Sequence, residues 1–314
     1  MTTLTWTRMR RVVASRGFTP ASWIPAASEG RAEEATIRPA RLVELGPVVG
    51  RSVGPPEAWP DPVAFLDGTQ RYEVMAYAGA SPVVVAEVAA AVMVREDRHL
   101  QAGEVERRRL LIARPRVLSS LREVVEEAVE GYQAIQLPDD SPIHPVRDFQ
   151  LARREVDAAR TRLELSVGRR FRRRSDAWLI ADGSLTESPQ WASDPRMLGV
   201  SKSHATLPIA DQDLETYLRI SAGHRSPVFQ PAGHALAPVF SWALRLWPWE
   251  EKDLLHGLIR IEAAPTEETL EQVDRLSRWL LAERAPVSTP DPRWDRLLYG
   301  FRGVEEYLRA SGER

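Results

Sequence analysis

Cysteine is absent from this sequence of 314 residues. Its absence excludes disulfide bonds, thiolate zinc sites and cysteine nucleophiles. Any metal ion that the chain binds must therefore have oxygen or imidazole ligands. The hydrophobic content of 43% is enough, at this length, to bury the core of one large domain or of two smaller ones.

Long apolar runs are also missing. No stretch approaches the ~20 apolar residues that a membrane-spanning helix needs. The amino terminus, MTTLTWTRMRRVVASRG, carries charge where a signal peptide has its apolar segment. We therefore expect a cytoplasmic protein without a membrane partner.

Lysine is scarce, and the positive charge of the chain is almost entirely arginine. Two segments concentrate it, Glu104–Arg116 and Gly168–Asp176, although the net charge is only −2. Guanidinium groups suit bidentate contacts with phosphate, so these two clusters predict a local anion-binding face. The alternative for each cluster is an ordinary charged run that faces water.

The first part of the chain predicts an irregular arm followed by strands. Residues 1–60 are rich in proline, glycine and alanine and have little regular pattern. From residue 61, the runs VAFLDGT, RYEVMAYAG and SPVVVAEVAAAVMVRED, joined by turn-forming links, predict an antiparallel meander. We expect a helical insertion around residues 104–147, within which ERRRLLIA has the composition of a further strand.

The rest of the chain alternates between helix and strand patterns. A long helix is predicted over residues 148–171, followed by the strand AWLIADGSL. Further strands are predicted in MLGVSKSH, HALAPVFSWALRLW and HGLIRIEAA. Two carboxy-terminal helices complete the chain, one capped by Thr266 and one over about residues 293–310. This order predicts an α/β fold with a mixed sheet flanked by helices.

Two apolar runs end alike, at Asp67-Gly68 and at Asp182-Gly183. Because neither run alternates with polar residues, both predict central strands that are covered on both faces. A carboxylate buried there without a partner would cost several kcal/mol, so we expect it to be exposed, hydrogen-bonded or bound to a cation. The alternative is that each Asp-Gly pair only forms a turn.

A third acid comes from the predicted long helix. Glu164 lies between two leucines and 18 residues before Asp182, so it is a candidate to approach both aspartates. Glu155, nine residues earlier, would face the other side of the helix, and the pattern alone leaves both candidates open. Two aspartates and a glutamate form a hard oxygen site suited to Mg²⁺ or Mn²⁺, and two such ions can promote phosphodiester hydrolysis.

At these residues the sequence resembles the NurA family of nucleases, whose core is ribonuclease H-like and similar to the PIWI domain of Argonaute. The resemblance covers the chain from Val63 onward and implies a nuclease domain over residues 61–314. The matching segments come in the family's order: FLDGT, the helix with Glu164, LIADGSL, LGVSKSH, GHRSPVF, WALRLW, LIRIEAA and the helix after DPRWDRLL.

The resemblance also implies roles for individual residues. Asp67, Glu164 and Asp182 would bind the catalytic metal ions, with manganese the family's usual choice and magnesium the other candidate. Lys202 would act in catalysis by contacting a phosphate. Three further residues match recurrent positions for which a structural role is expected: Arg225, Arg260 and Glu262.

One position departs from the family pattern. NurA nucleases commonly have a histidine or aspartate in the last helix that completes the metal site, whereas Arg302 stands near that position here. A cation cannot be a metal ligand, so either another residue substitutes or the activity is weakened. The candidate substitutes are Glu305, Glu306, His204, His224 and His256.

The resemblance implies a metal-dependent DNA nuclease with exo- or endonuclease activity that leaves a 5′ phosphate. It would form a homodimer and work with a HerA-type hexameric ATPase in DNA end processing or antiviral defence. The alternative is a catalytically weak or inactive DNA-binding scaffold of such an ATPase, with Trp247 and Trp249 as anchors for the partner. A hydrolase of another phosphoester is a third hypothesis.

Overall fold

The structure is a computed structural model that describes residues 36–60, 62–96, 99–119, 132–232, 237–284 and 298–310. The chain divides into two compact units. The first unit comprises Met1–Val63 and Trp178–Tyr299, and the second comprises Ala64–Ala177 and Gly300–Arg314. None of the helices within the described residues is long and apolar enough to cross a bilayer.

The chain begins with a series of strands and continues with a mixture of helices and strands. The strands are β1 (Thr36–Ile37), β2 (Arg41–Leu42), β3 (Arg51–Ser52), β4 (Val63–Ala78), β5 (Ser81–Glu96), β6 (His99–Ala113), β7 (Tyr132–Gln136), β8 (Trp178–Asp182), β9 (Met197–Ser201), β10 (Thr206–Leu207), β11 (His224–Arg225), β12 (Phe229–Gln230), β13 (Phe240–Arg245) and β14 (Leu258–Ala263). The numbered helices are α1 (Pro145–Arg172), α2 (Pro189–Ala192), α3 (Gln212–Leu218), α4 (Glu267–Ala282) and α5 (Tyr299–Ala310).

The first unit contains a mixed sheet in the order β2, β12, β13, β14, β9, β8. The pair β8–β9 is parallel, and β9–β14 and β14–β13 are antiparallel. Helix α4 covers this sheet, since Trp279 contacts Trp178 of β8 and Ser277 accepts a 3.0 Å hydrogen bond from the Trp242 indole of β13. As predicted, Thr266 caps the helix by accepting a hydrogen bond from the Thr269 N–H.

The second unit contains a meander in the order β4, β5, β6 and then β7. The prediction of separate strands for VAFLDGT and RYEVMAYAG is wrong, because both segments belong to the single strand β4. The pair β5–β6 is antiparallel and β7 runs parallel to β6. Helix α1 packs on β5 and β6. Helix α5 contacts β4, with the Phe301 ring edge-on to Phe65 at 5.7 Å between centroids. These elements confirm the predicted α/β fold with a mixed sheet flanked by helices.

Several predictions about the chain's organisation are corrected or limited. The predicted helical insertion over 104–147 is corrected: the segment begins as part of strand β6, because its apolar residues pair with β5, and it also contains strand β7. Before α1, helix is described in it over residues 115–119. Residues 120–131 and the start of the last predicted helix lie outside the described residues. The arm is irregular over 36–60, where only two-residue strands occur. The division into residues 1–60 and 61–314 stays a prediction.

A buried ion pair joins the end of β6 to the start of α1. Arg114 donates to both carboxylate oxygens of Asp148, at 2.7 and 2.9 Å, and the two side chains are 4% and 1% exposed. The same guanidinium also donates to Asp139 and to the carbonyls of Ser141 and Pro142. One arginine of the Glu104–Arg116 cluster is therefore structural.

We predict that Asp148→Asn lowers the free energy of unfolding by about 2 kcal/mol, because Arg114 loses a charged hydrogen-bond partner. The hydrogen bonds from Arg114 hold the pKa of Asp148 below its ordinary value of 3.8. A lowered pKa contributes stability that is complete above the unfolded pKa and is lost as the pH falls through the folded pKa. Urea unfolding should thus show the difference at pH 7 and its decline below about pH 4.

The control is Asp139→Asn, whose side chain is 40% exposed. We expect it to cost much less than Asp148→Asn. Equal costs for the two variants would contradict a structural role that is specific to Asp148.

Candidate functional site

Asp67 lies inside a strand rather than at the end of one. Strand β4 continues from Val63 to Ala78 through Asp67 and Gly68, so the predicted turn at this Asp-Gly pair is wrong. Gly68 has no positive φ, which a glycine turn would often need. The Asp67 side chain is buried, and its Oδ1 accepts a 2.7 Å hydrogen bond from the Gly68 N–H.

Glu164 of α1 lies against the same glycine. A Cβ atom added at Gly68 would stand 2.2 Å from Glu164 Oε1 and 2.9 Å from its Cγ. Gly68 therefore provides the space that the glutamate occupies, and the carboxylates of Asp67 and Glu164 both border this residue. Glu155 is half a helical rotation away from Glu164, so Glu164 is the one of the two candidates that approaches Asp67's strand.

Other contacts fix the side of α1 that faces β4. Gln70 donates a 2.7 Å hydrogen bond to Asp157, which is seven residues before Glu164 and hence on the same side of the helix. Arg160, one turn before Glu164, donates to its Oε1 at 2.7 Å. The sequence alone did not single out Arg160 or Asp157, although their spacings of four and seven residues from Glu164 are the signal that places them beside it.

Asp182 and Lys202 form the part of the candidate site that belongs to the first unit. Asp182 ends β8, as predicted, and it pairs in register with Val200 of the parallel strand β9. Lys202 follows β9 directly, and its Nζ lies 2.8 Å from Asp182 Oδ2. The structure thus brings these two predicted residues together. That all three acids meet at one point stays a prediction.

Glu262 holds the turn that follows Asp182. It is 2% exposed on β14, and its Oε2 accepts hydrogen bonds from Ser184 Oγ at 2.7 Å and from the Leu185 N–H at 2.9 Å. Gly183 needs its φ of +118°, a conformation that suits glycine. A buried carboxylate on β14, two strands from β8 in the sheet, therefore fixes the Asp-Gly-Ser segment, and Glu262 has the structural role that was expected.

Arg225 is also structural. Its guanidinium donates to both carboxylate oxygens of Glu44, at 2.7 and 3.0 Å, and to Asp274 at 2.5 Å. Burial raises the pKa of Glu44, but hydrogen bonds from Arg225 and from the Val228 N–H outweigh it and leave that pKa below its ordinary value. Arg260 lies 3.6 Å from Glu262 and donates to the Thr206 carbonyl.

The candidate substitutes for the missing last-helix ligand are engaged elsewhere. Glu306 pairs with Arg302 at 2.6 Å, and Glu305 pairs with Arg309 at 3.2 Å, each one turn along α5. His204 Nε2 donates to the Leu258 carbonyl at 2.9 Å, so it carries the proton, and burial lowers the pKa of His204 to about 4. His224 contacts the Ala222 carbonyl, and His256 is buried.

The two tryptophans considered as partner anchors belong to the edge of the core. Trp249 is buried, and Arg219 lies 5.3 Å from its ring centroid. Arg284 covers the half-buried Trp247 ring at 4.3 Å. Neither ring projects freely from the surface, so neither is available as an exposed anchor.

In comparisons with protein-family models and with curated proteins, nothing matches this chain. Among solved structures, the chain is similar to the crystal structure of the NurA nuclease from Sulfolobus solfataricus. The identity is 11%, the TM-score is 0.47, and the similarity covers 83% of this chain and 86% of that chain. A likeness of this size identifies neither a family nor an activity.

The donor atoms beside Gly68 suit a hard divalent cation, because Asp67 and Glu164 offer carboxylate oxygens from a strand and a helix that pack together. The Lys202 ammonium on Asp182 shows that this second carboxylate already attracts a cation. Across the described parts of the chain, no group of three or more His, Cys, Asp and Glu side chains stands ready to hold a metal ion. Carboxylates of the right chemistry are present in each of the two units: Asp67 and Glu164 in the second, and Asp182 in the first.

We predict that Gly68→Ala displaces the Glu164 carboxylate and lowers the free energy of unfolding by about 1 kcal/mol, because the new methyl group overlaps Oε1. In a Glu164→Ala background the same substitution should cost clearly less, since the overlapping atoms are gone. A double-mutant cycle measured by urea unfolding gives this coupling.

Gly50→Ala serves as the matched control, because its nearest neighbour, Ile220, would be 3.5 Å away, an ordinary contact. If Gly68→Ala cost the same with and without Glu164, the close approach of helix and strand described above would be wrong.

We predict that Glu262→Gln destabilises the fold by about 2 kcal/mol, because a neutral amide oxygen accepts the hydrogen bonds of Ser184 and Leu185 more weakly and the NH₂ group faces the Arg260 guanidinium. Ser184→Ala should cost less, since the Leu185 N–H remains paired. Thermal unfolding measures both effects. Glu271→Gln on the exposed side of α4 is the control, and a Glu262→Gln cost no larger than this control would contradict the role of Glu262 in the turn.

Proposed function

We propose that this protein is a metal-dependent DNA nuclease that hydrolyses phosphodiester bonds. The observation that carries the proposal is the close approach of Glu164 to the Asp67-Gly68 pair, since two carboxylates in this position form the beginning of a hard metal site. The resemblance of the Asp67 and Asp182 segments to NurA nucleases supports the same function and implies the polymer, DNA.

Asp67, Glu164 and Asp182 are the proposed metal ligands. Mn²⁺ is the proposed ion and Mg²⁺ the other candidate; such an ion would supply an activated water and neutralise charge on the phosphate. Within the protein, the Gly68 N–H and Arg160 orient the carboxylates of Asp67 and Glu164. The buried Glu262 orients the turn after Asp182.

Lys202 is the proposed phosphate contact. Its ammonium lies 2.8 Å from Asp182, so in the protein without metal it balances the charge of this acid. Asp182 would hold a divalent cation, whose charge would take the place of the Lys202 ammonium beside this acid. Lys202 would then contribute to substrate binding by contacting a phosphate.

The biological setting follows from the resemblance alone. We propose a homodimer that works with a HerA-type hexameric ATPase, in DNA end processing or in antiviral defence. Gel filtration with mass determination tests the dimer.

A second candidate function is a DNA-binding scaffold with weak or no catalysis. The observation that favours it is the position of Arg302, which pairs with Glu306 along α5 where NurA nucleases commonly have a ligand. A hydrolase of another phosphoester is the third candidate, because carboxylates do not by themselves select a polymer.

We predict that Asp182→Asn lowers the rate of DNA cleavage by about 100-fold or more, because a neutral amide is a poor ligand for a hard divalent ion. Purified wild type and variant are incubated with end-labelled single- and double-stranded DNA, with Mn²⁺, with Mg²⁺ and with chelator. Asp213→Asn, on the exposed side of α3, is the control and should retain wild-type cleavage.

Metal-dependent cleavage by the wild type and by the control, but not by Asp182→Asn, supports the nuclease. The same low background in all three proteins, with DNA binding retained, supports the scaffold. Cleavage of a small phosphodiester with no action on DNA supports the third candidate.

A further inference from the structure

The charged residues of helix α1 divide between a side that faces β4 and a side that faces solvent. Asp157 and Glu164 lie on the side that faces β4, where they contact Gln70 and the Gly68 position. On the solvent side, the exposed charged residues are arginines. We call four of them the arginine stripe: Arg154, Arg162, Arg169 and Arg173.

The spacing of these four residues places them on one side of the helix. They are eight, seven and four residues apart, which at 3.6 residues per turn confines them to a sector of about 100°. Arg173 is the helical C-cap residue and extends the same geometry by one position. At 1.5 Å per residue, the arginine stripe is about 29 Å long.

The arginine stripe stays separate from the internal ion pairs of the second unit. In the Gly168–Asp176 cluster, Arg170 and Arg174 pair with Glu104 of β6, and Arg172 donates to the carbonyls of Ser175 and Ala177. By contrast, none of the four stripe arginines forms an ion pair with a described residue. Glu155, at the edge of the sector, is the acid closest to them on α1.

A row of one charge sign is unusual for this chain. Acidic residues slightly outnumber basic ones, 44 to 42, and ordinary protein surfaces intersperse the two signs. Four long, exposed arginines in line repel one another, and a ligand with several negative charges in a row would relieve this repulsion. The length favours an extended polyanion over a single phosphate group.

We propose that the arginine stripe binds the phosphate backbone of duplex DNA, an inference that rests on the proposed function for the identity of the polyanion. Guanidinium groups form bidentate contacts with phosphates. No aromatic residue lies within the stripe to stack on the bases of a single strand. A length of about 29 Å corresponds to roughly eight base pairs at 3.4 Å each. Binding would be independent of sequence, since phosphates position the duplex and bases specify it.

The apolar side of α1 argues against a membrane surface as the ligand. A helix that lies in a membrane interface buries its apolar side in lipid. Val156, Leu163 and Val167, on the apolar side of α1, are instead fully buried by the protein. Anionic vesicles therefore serve as a negative control in the test.

The test compares two triple variants of equal charge change. The stripe variant is Arg154→Gln, Arg162→Gln and Arg169→Gln, and Arg173 is kept because it caps the helix. The control variant changes three exposed arginines elsewhere: Arg116→Gln, Arg196→Gln and Arg309→Gln. Both are made in the Asp182→Asn background and assayed in chelator by fluorescence anisotropy with a labelled duplex of about 20 base pairs.

We predict that the stripe variant binds the duplex at least about tenfold more weakly than the control variant at low salt. The slope of log K against log salt should become shallower by about 2 to 3, because each phosphate contact contributes roughly 0.9. Anionic vesicles should show no difference between the two variants.

Equal affinities and slopes for the two triple variants would overturn the proposal, and so would a loss of vesicle binding without a loss of DNA binding. If the stripe variant fails to fold, Arg162→Gln alone should still lower the slope by about 0.9, and an unchanged slope would count against the stripe. These binding assays need neither metal nor cleavage, so their outcome is independent of the nuclease test. If the arginine stripe binds DNA but the wild type does not cleave it, the scaffold function is supported.

Discussion

Glu164 can lie against strand β4 only because position 68 has no side chain. A methyl group there would overlap the carboxylate, so the glycine sets how closely α1 approaches the strand. That approach also brings Asp157 to Gln70 and presents the other side of the helix to solvent. The candidate acid and the arginine stripe are thus two consequences of one helix orientation.

Carboxylates within or beside an apolar sheet need hydrogen-bond or ion-pair partners, and in each unit these partners come from the same unit. In the second unit, Arg160 pairs with Glu164 and Arg114 with Asp148. In the first unit, Lys202 pairs with Asp182, and a backbone N–H and a hydroxyl bind Glu262. Glycine, arginine and lysine at a few positions therefore keep acids in places where burial alone would favour apolar residues.

Apolar runs predicted the central strands correctly, but they did not predict where a strand ends. Asp182 terminates β8, whereas β4 continues for eleven residues beyond Asp67, although both acids precede glycine. The difference comes from what lies beside each glycine. Gly68 is extended and packed against a helix, while Gly183 adopts a positive φ and opens a turn. The two segments have the same local sequence pattern, and tertiary packing gives them different conformations.

By itself, the sequence determined which kinds of atom are available and which segments form elements. The absence of cysteine leaves oxygen and imidazole as metal donors, and the apolar periodicities and the Thr266 cap specify strands and helices through interactions within a few residues. Only the tertiary structure decided that Glu164 rather than Glu155 approaches Asp67's strand, and that the arginine cluster after residue 168 divides into paired and exposed members. Those outcomes depend on how a helix rotates about its axis against a sheet, a quantity set by contacts between residues far apart in the chain.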